Sequence, residues 1–335
     1  MGDPCFAYDR IHRQPHRPRP LSCDRDLLSA DLLDCSPRVR ELLQIRDGPS
    51  VELEERPAQG TRHEVRFGVL VDTGERVAVK FELTPGTLAG ERAALTWLGS
   101  RDGPVPLLFA SGAAVLGREQ RECLVSERRA GSPPTSIDGW RRMGRAYARV
   151  AQRRDFPLVL PVLDVAVFGQ MHAQRIRELD DLLAGRMAAI PDWAFLSSPQ
   201  VPESPPLVIT HGDPGPGNFL DNGRDGTIVD WEEAQIAPRG LDLARLVFIA
   251  LLGSGPSGYL ARDHDRRARA AANGYLEVIQ DGWQPSRREW AWWITAAGVQ
   301  FVHRRWQLGG KPGSWQAAAD VLRATLTKDR YWPGL

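Results

Sequence analysis

No stretch of the chain is long and apolar enough to read as a transmembrane helix, and its N-terminus holds no hydrophobic signal core. Neither sign of charge is in excess: Lys+Arg number 43 against Asp+Glu 42, a formal net charge of +1. Without a global basic field there is no electrostatic case for nucleic acid or an anionic membrane as partner. Cysteine is scarce. The four present (Cys5, Cys23, Cys35 and Cys123) form no CxxC pair and no metal-ligand spacing. That argues against a zinc module or a disulfide scaffold and for free thiols in a cytoplasmic protein. Internal repeats are missing, and low complexity is confined to Met1–Pro20, a Pro-, Arg- and His-rich segment that reads as a flexible tail.

What is there is enough for a sizeable core. The chain has 335 residues, of which 42% are hydrophobic and 25% charged. That exceeds one average domain, so two lobes around a cleft are expected. Leucines at helix-like intervals over Asp26–Ile45, interrupted by Pro37, predict one or two short helices. From Val51 the pattern alternates, and strands are expected over Val51–Arg56, Glu64–Val71 and Arg76–Leu83. Asp72-Thr73-Gly74-Glu75 is the hairpin turn between the last two. The small polar loop 58–63, with its single Gly60 beside bulky Arg62 and His63, would lie over phosphates as a lid.

A helix is predicted over Leu88–Leu98 and a buried strand over Cys123–Ser126. The polar connection Glu127–Pro134 marks the lobe boundary. Beyond it the chain reads as mainly helical: Ile137–Arg153, Phe168–Met187, Leu241–Leu252, Asp263–Gln280, Ser286–Gln307 and Ser314–Leu326. The domain reading is therefore a tail at 1–22, a smaller domain at 23–130 with nucleotide-binding character, and a helical domain at 131–335.

Chemistry concentrates in His211-Gly212-Asp213-Pro214-Gly215-Pro216-Gly217-Asn218, with Asp230-Trp231-Glu232 following. The Pro-Gly-Pro-Gly run cannot be helix interior, since proline lacks the N–H and glycine loses too much backbone entropy. Asp213 and Asn218 thus sit on a tight loop after a short strand, Pro206–Thr210. A second strand, Gly226–Val229, delivers Asp230 at its end. Carboxylate and amide oxygens so placed suit a hard cation such as Mg²⁺. Val77-Ala78-Val79-Lys80 puts a lysine at the end of an apolar strand, and Glu91 stands on the next helix. A Lys–Glu pair of this kind holds an ammonium on the α/β-phosphates of a nucleotide.

Together these residues resemble the kinase-like fold and, more narrowly, the aminoglycoside phosphotransferase/choline kinase family. The resemblance rests on His211-Gly212-Asp213 with Asn218 five residues after the Asp, on Asp230-Trp231-Glu232, and on Glu91-Arg92-Ala93-Ala94-Leu95-Thr96-Trp97-Leu98. It spans roughly Val51 to Val247. It implies an α+β, two-lobed fold with a small antiparallel-sheet N-lobe and a larger, mainly helical C-lobe. It also implies Asp213 as the catalytic base, Asn218 and Asp230 as the Mg²⁺ ligands, and Lys80 braced by Glu91 on the phosphates. Backbone groups of the Glu127–Arg129 link would meet the adenine of ATP, with GTP left open as the donor. His211 and Asp242 would be scaffold for the loop. Glu232 and Glu233 are open between assisting the metal, lining the substrate mouth and being solvated. The chain departs from the family in lacking a His at the end of the helix after the lobe link.

Only eleven residues separate Asp230 from Asp242, too few for the activation segment of a protein kinase, so a small-molecule alcohol is the expected acceptor. A non-catalytic nucleotide-binding module would have lost the base, metal ligands or lysine, all of which are retained. A metal-dependent hydrolase would need further histidines near the cluster, and His172 and His264 are remote in sequence. From Leu251 to Leu335 there are 12 Lys+Arg and 7 Asp+Glu, which disfavours a polycationic aminoglycoside as acceptor. Seven tryptophans in the same region leave room for an aromatic surface toward a quaternary amine.

Overall fold

Strand β1, Glu41–Ile45, opens the structured part of the protein, where helical leucine spacing had been expected. In this computed structural model the described residues are 41–54, 58–59, 63–116, 119–153, 155, 159–183, 187, 190–202, 206–252, 262–307 and 312–327. They all belong to one unit, Val39–Leu335. The expected tail, residues 26–40 of the expected helices and the tip of the loop around Gly60 lie outside the described residues. Leu43 and Ile45 explain the correction at β1. They alternate with exposed neighbours and are fully buried, a period-two pattern that pairing with distant strands makes decisive.

β1 is followed by β2 (Ser50–Leu53), β3 (Ala58–Gln59), β4 (His63–Leu70), β5 (Arg76–Glu82), β6 (Leu108–Leu116) and β7 (Glu119–Glu127). All the pairings are antiparallel, in the order β2-β1-β6-β7-β5-β4-β3, and β2 also pairs with β4. Six strands therefore close into a ring, with β3 attached outside β4. The expected sheet is present, but β1 closes it. The ring is filled by the inward residues Leu43, Ile45, Val51, Leu53, Val77, Val79, Phe81 and Val125. Strand β6 is a further difference: its Ala- and Gly-containing segment carries no alternation by which to read it. The β4–β5 hairpin turns as expected, with Gly74 at φ 69°.

Helix α1 (Ala89–Leu98) follows β5, and its Ala94, Leu95 and Leu98 pack into a second, larger core. That core is built mainly by α2 (Ile137–Ala151), α3 (Val165–Leu183), α4 (Trp193–Leu196), α5 (Gly240–Leu252), α6 (Arg262–Val278), α7 (Arg287–Gln307) and α8 (Pro312–Thr327). All but the one-turn α4 match the predicted helices to within a few residues. Ser136 caps α2 by accepting from the Gly139 N–H at 3.0 Å. Trp290, Trp292 and Trp293 on α7 are fully buried, so these three belong to the core and not to an exposed aromatic surface. No helix among the described residues is long and apolar enough to cross a membrane.

Between α4 and α5 lie two small antiparallel pairs: β8 (Leu207–Thr210) with β11 (Gln235–Pro238), and β9 (Phe219–Asp221) with β10 (Gly226–Ile228). β8 leads into His211 and β10 leads into Asp230. Both loops thereby arrive beside the outer face of β4 and β5.

Candidate active site

Alternation along β5 sends Val77, Val79 and Phe81 into the ring and Ala78 and Lys80 out of it. Lys80 Nζ lies 2.6 Å from Glu91 Oε2, 2.6 Å from Asp230 Oδ1 and 2.5 Å from Glu232 Oε1. Glu91 stands in the first turn of α1 and is buried. Burial would lower the Lys80 pKa, but the charges of Glu91 and Asp230 outweigh it and hold the ammonium above its ordinary value. Burial raises the Glu91 carboxyl, and the Lys80 ammonium offsets only part of that. At Asp230 burial acts upward too, yet Lys80 prevails and keeps the carboxyl below its ordinary value.

The loop after β8 is held from beneath. Gly212 has φ 85°, and a Cβ there would stand 2.0 Å from the Glu233 carbonyl oxygen, so only glycine fits. Asp242, in the first turn of α5, accepts the backbone N–H of His211 at 2.5 Å and that of Gly212 at 3.2 Å. Its carboxyl is raised by burial despite Arg245 and these two donors. Arg245 itself donates to the Gly212 carbonyl and, at 2.7 Å, to Gln300 Oε1 on α7. His211 Nε2 donates to the Val229 carbonyl at 2.9 Å, and Nδ1 accepts the Asp213 N–H at 3.3 Å. Those two partners set the tautomer with the proton on Nε2. The ring packs against Trp231 and edge-on to Tyr147, at 4.7 and 5.8 Å between centroids.

Past Asp213 the chain makes one 3-10 turn, Pro216–Asn218. Asn218 Nδ2 donates to the Asp213 carbonyl at 3.0 Å, and the Asn218 carbonyl accepts the Val229 N–H at 3.0 Å. Loop and strand end are thus tied together next to Asp230. Asp230 has φ 68°, a left-handed conformation uncommon for residues other than glycine, which turns its carboxylate back toward Lys80.

A cleft of about 710 Å³ is lined by Lys80, Glu91, Glu127, Arg129, Asp213 and Asp230, among others. Asn218, His211 and Asp242 are not among its lining residues; they support the loop that is. The Glu127 N–H donates to Leu107 and the Arg128 N–H to Arg76. The Arg129 guanidinium is tied to Glu127 at 2.9 Å and to the Ser100 carbonyl at 2.8 Å. Glu91, Asp230 and Glu232 form a carboxylate trio whose oxygens lie within 4.8 Å of one another. The sequence reading left Glu232 open between three roles and gave His63 none beyond its place in the loop over the phosphates. The motif Asp230-Trp231-Glu232 carried the signal, and the left-handed turn at Asp230 brings Glu232 to the same ammonium.

A model of the phosphotransferase enzyme family matches residues 55–296, so the chain belongs to that family and is a phosphotransferase. Among solved structures it is similar to a macrolide 2'-phosphotransferase from Brachybacterium faecium, with 20% identity and a TM-score of 0.51 over 81% of this chain and 94% of that one. A spectinomycin phosphotransferase in complex with ADP and spectinomycin has 12% identity and a TM-score of 0.51 over 85% and 94% of the two chains. A choline/ethanolamine kinase family protein from Mesorhizobium loti has 16% identity and a TM-score of 0.50 over 84% and 88%. At these identities the likeness is one of fold. No curated protein matches the chain significantly.

Proposed function

We propose that the protein moves the γ-phosphoryl group of ATP to a hydroxyl of a small molecule. The observation that carries this reading is the convergence of the Lys80–Glu91 pair, Asp213 and Asp230 on one cleft. In this reading Asp213 accepts the proton of the acceptor hydroxyl, and Lys80, held by Glu91, grips the α/β-phosphates. His211, Asp242 and Arg245 hold the loop so that Asp213 keeps its place. The link Glu127–Arg129 meets the adenine through those backbone groups not already bonded to Leu107 and Arg76. Catalysis then rests on positioning and charge neutralisation.

The donor set fits Mg²⁺. Asp230 offers a carboxylate, and the Asn218 amide spends its N–H on Asp213, leaving Oδ1 for a hard cation. When bound, the cation neutralises phosphate charge. We also infer two lobes, 23–130 and 131–335, with the cleft between them; the ring's own apolar filling supports a distinct first lobe, whose helix α1 packs into the larger core. A cytoplasmic location follows from the need for ATP. The similar structures name macrolide, spectinomycin and choline/ethanolamine chemistry. For this chain the 12 Lys+Arg against 7 Asp+Glu beyond Leu251 favour an acceptor less cationic than an aminoglycoside.

The test is a transfer assay with Mg²⁺ and ATP against macrolides, aminoglycosides, choline-like amines, sugars and amino-alcohols. Asp213→Asn should lower transfer about 10²- to 10⁴-fold with nucleotide affinity largely kept. Turnover of that variant at the wild-type rate would refute the assigned base.

A further inference from the structure

We propose that His63 is a phosphate-binding residue of the nucleotide site, and that Glu232 occupies its anion position until a nucleotide arrives. The inference rests on the phosphotransfer reading above. Its starting point is strand register. Val65 of β4 lies opposite Lys80 of β5, so His63, two residues back, shares the outer face with Lys80. Both line the cleft.

Two cationic or donor groups on that face converge on one atom. Glu232 Oε1 is 2.5 Å from Lys80 Nζ and 2.9 Å from His63 Nε2. A single anionic oxygen between an ammonium and an imidazole marks the place where a phosphate oxygen would be held by the same pair. The contact with His63 has the length of a hydrogen bond but not its direction, and Nδ1 has no hydrogen-bond partner among the described residues. His63 is nevertheless 3% exposed, and a buried imidazole with no well-aligned bond is a group awaiting one.

Charge gives the reason for exchange. Lys80 faces three carboxylates, those of Glu91, Asp230 and Glu232. One ammonium cannot balance three carboxylates, so phosphates entering this cluster meet an excess of their own sign. Glu91 is buried on α1 and Asp230 sits on a left-handed backbone. Glu232 is the carboxylate that contacts both Lys80 and His63, so its movement is the one that would free both groups. Its departure opens the oxygen position between Lys80 and His63 to the nucleotide and lowers the local negative charge.

Calorimetric titration of the full chain with Mg·ADP, metal-free ADP and adenosine tests this. His63→Ala should weaken Mg·ADP about tenfold or more, the scale of one charge-assisted hydrogen bond. Adenosine should bind wild type and variant alike, which separates a phosphate contact from damage to the fold. His63→Gln, which restores a donor, should recover most of the loss. Glu232→Gln should tighten metal-free ADP several-fold. The proposal fails if His63→Ala binds Mg·ADP within twofold of wild type, or loses adenosine equally. It fails as well if Glu232→Gln leaves metal-free ADP unchanged. Wild-type protein that binds no Mg·ADP would overturn the phosphotransfer reading itself, and this inference with it.

Discussion

Replacing Asp242 with asparagine should damage both the stability of the protein and its turnover, by amounts that follow from two hydrogen bonds. The carboxylate accepts two backbone N–H groups, from His211 and Gly212, in a setting 6% exposed to solvent. Asparagine keeps one acceptor and turns an NH₂ toward the other N–H, so one charge-assisted bond is lost and one buried donor is left unpaired. These are two descriptions of one event, which costs about 1–3 kcal/mol, and about 3 kcal/mol for a bond to a charged acceptor. Loss of the anion beside half-buried Arg245 acts in the same direction. About 3 kcal/mol is roughly a hundredfold in the folding equilibrium, within the 5–15 kcal/mol typical of a native protein, so the variant should still fold. Urea denaturation should show a lower midpoint at unchanged slope. Because Asp242 holds the two residues before Asp213, kcat should fall about tenfold while nucleotide affinity stays within twofold. A stability loss under about 1 kcal/mol, or a loss of nucleotide binding that matches the loss of kcat, would refute the reasoning.

Two further outcomes follow from buried groups. Burial holds the His172 imidazole down to about 4, from 6.5. The unfolded chain therefore takes up a proton below pH 6.5 that the native state refuses until about pH 4, and stability falls across that window by about 3 kcal/mol. His172→Gln should flatten this decline in urea titrations between pH 7 and pH 4; parallel curves for the two proteins would contradict it. Gly212→Ala places a Cβ 2.0 Å from the Glu233 carbonyl at a positive φ, so it should abolish transfer and lower the melting temperature by several degrees. Wild-type activity in that variant would contradict the geometry.

The helices from Ile137 onward were legible because their apolar faces recur locally and their ends carry caps and breakers, as Ser136 does for α2. The anchors Lys80, Glu91, Asp213 and Asp230 were legible as motif spacing, and the fold brings them to one cleft. β1 was not, since Leu42 and Leu43 fit a helical spacing equally well and only pairing with β2 and β6 decides the conformation. β6 was missed for want of alternation. The bridge from Glu232 to His63 joins residues far apart in the chain, and it depends on the β4–β5 register and on the turn at Asp230.

The ring closed by β1 has a consequence for what counts as the foldable unit. The family match begins at residue 55, downstream of both β1 and β2, and ends at residue 296, inside α7. A fragment cut to those limits would lose Leu43, Ile45, Val51 and Leu53 from the filling of the ring. It would also bare the backbone of β4 and β6 as two unpaired edges where the intact ring has none, and exposed edges invite pairing between molecules. The smallest soluble unit is therefore wider than the region that carries the family's pattern.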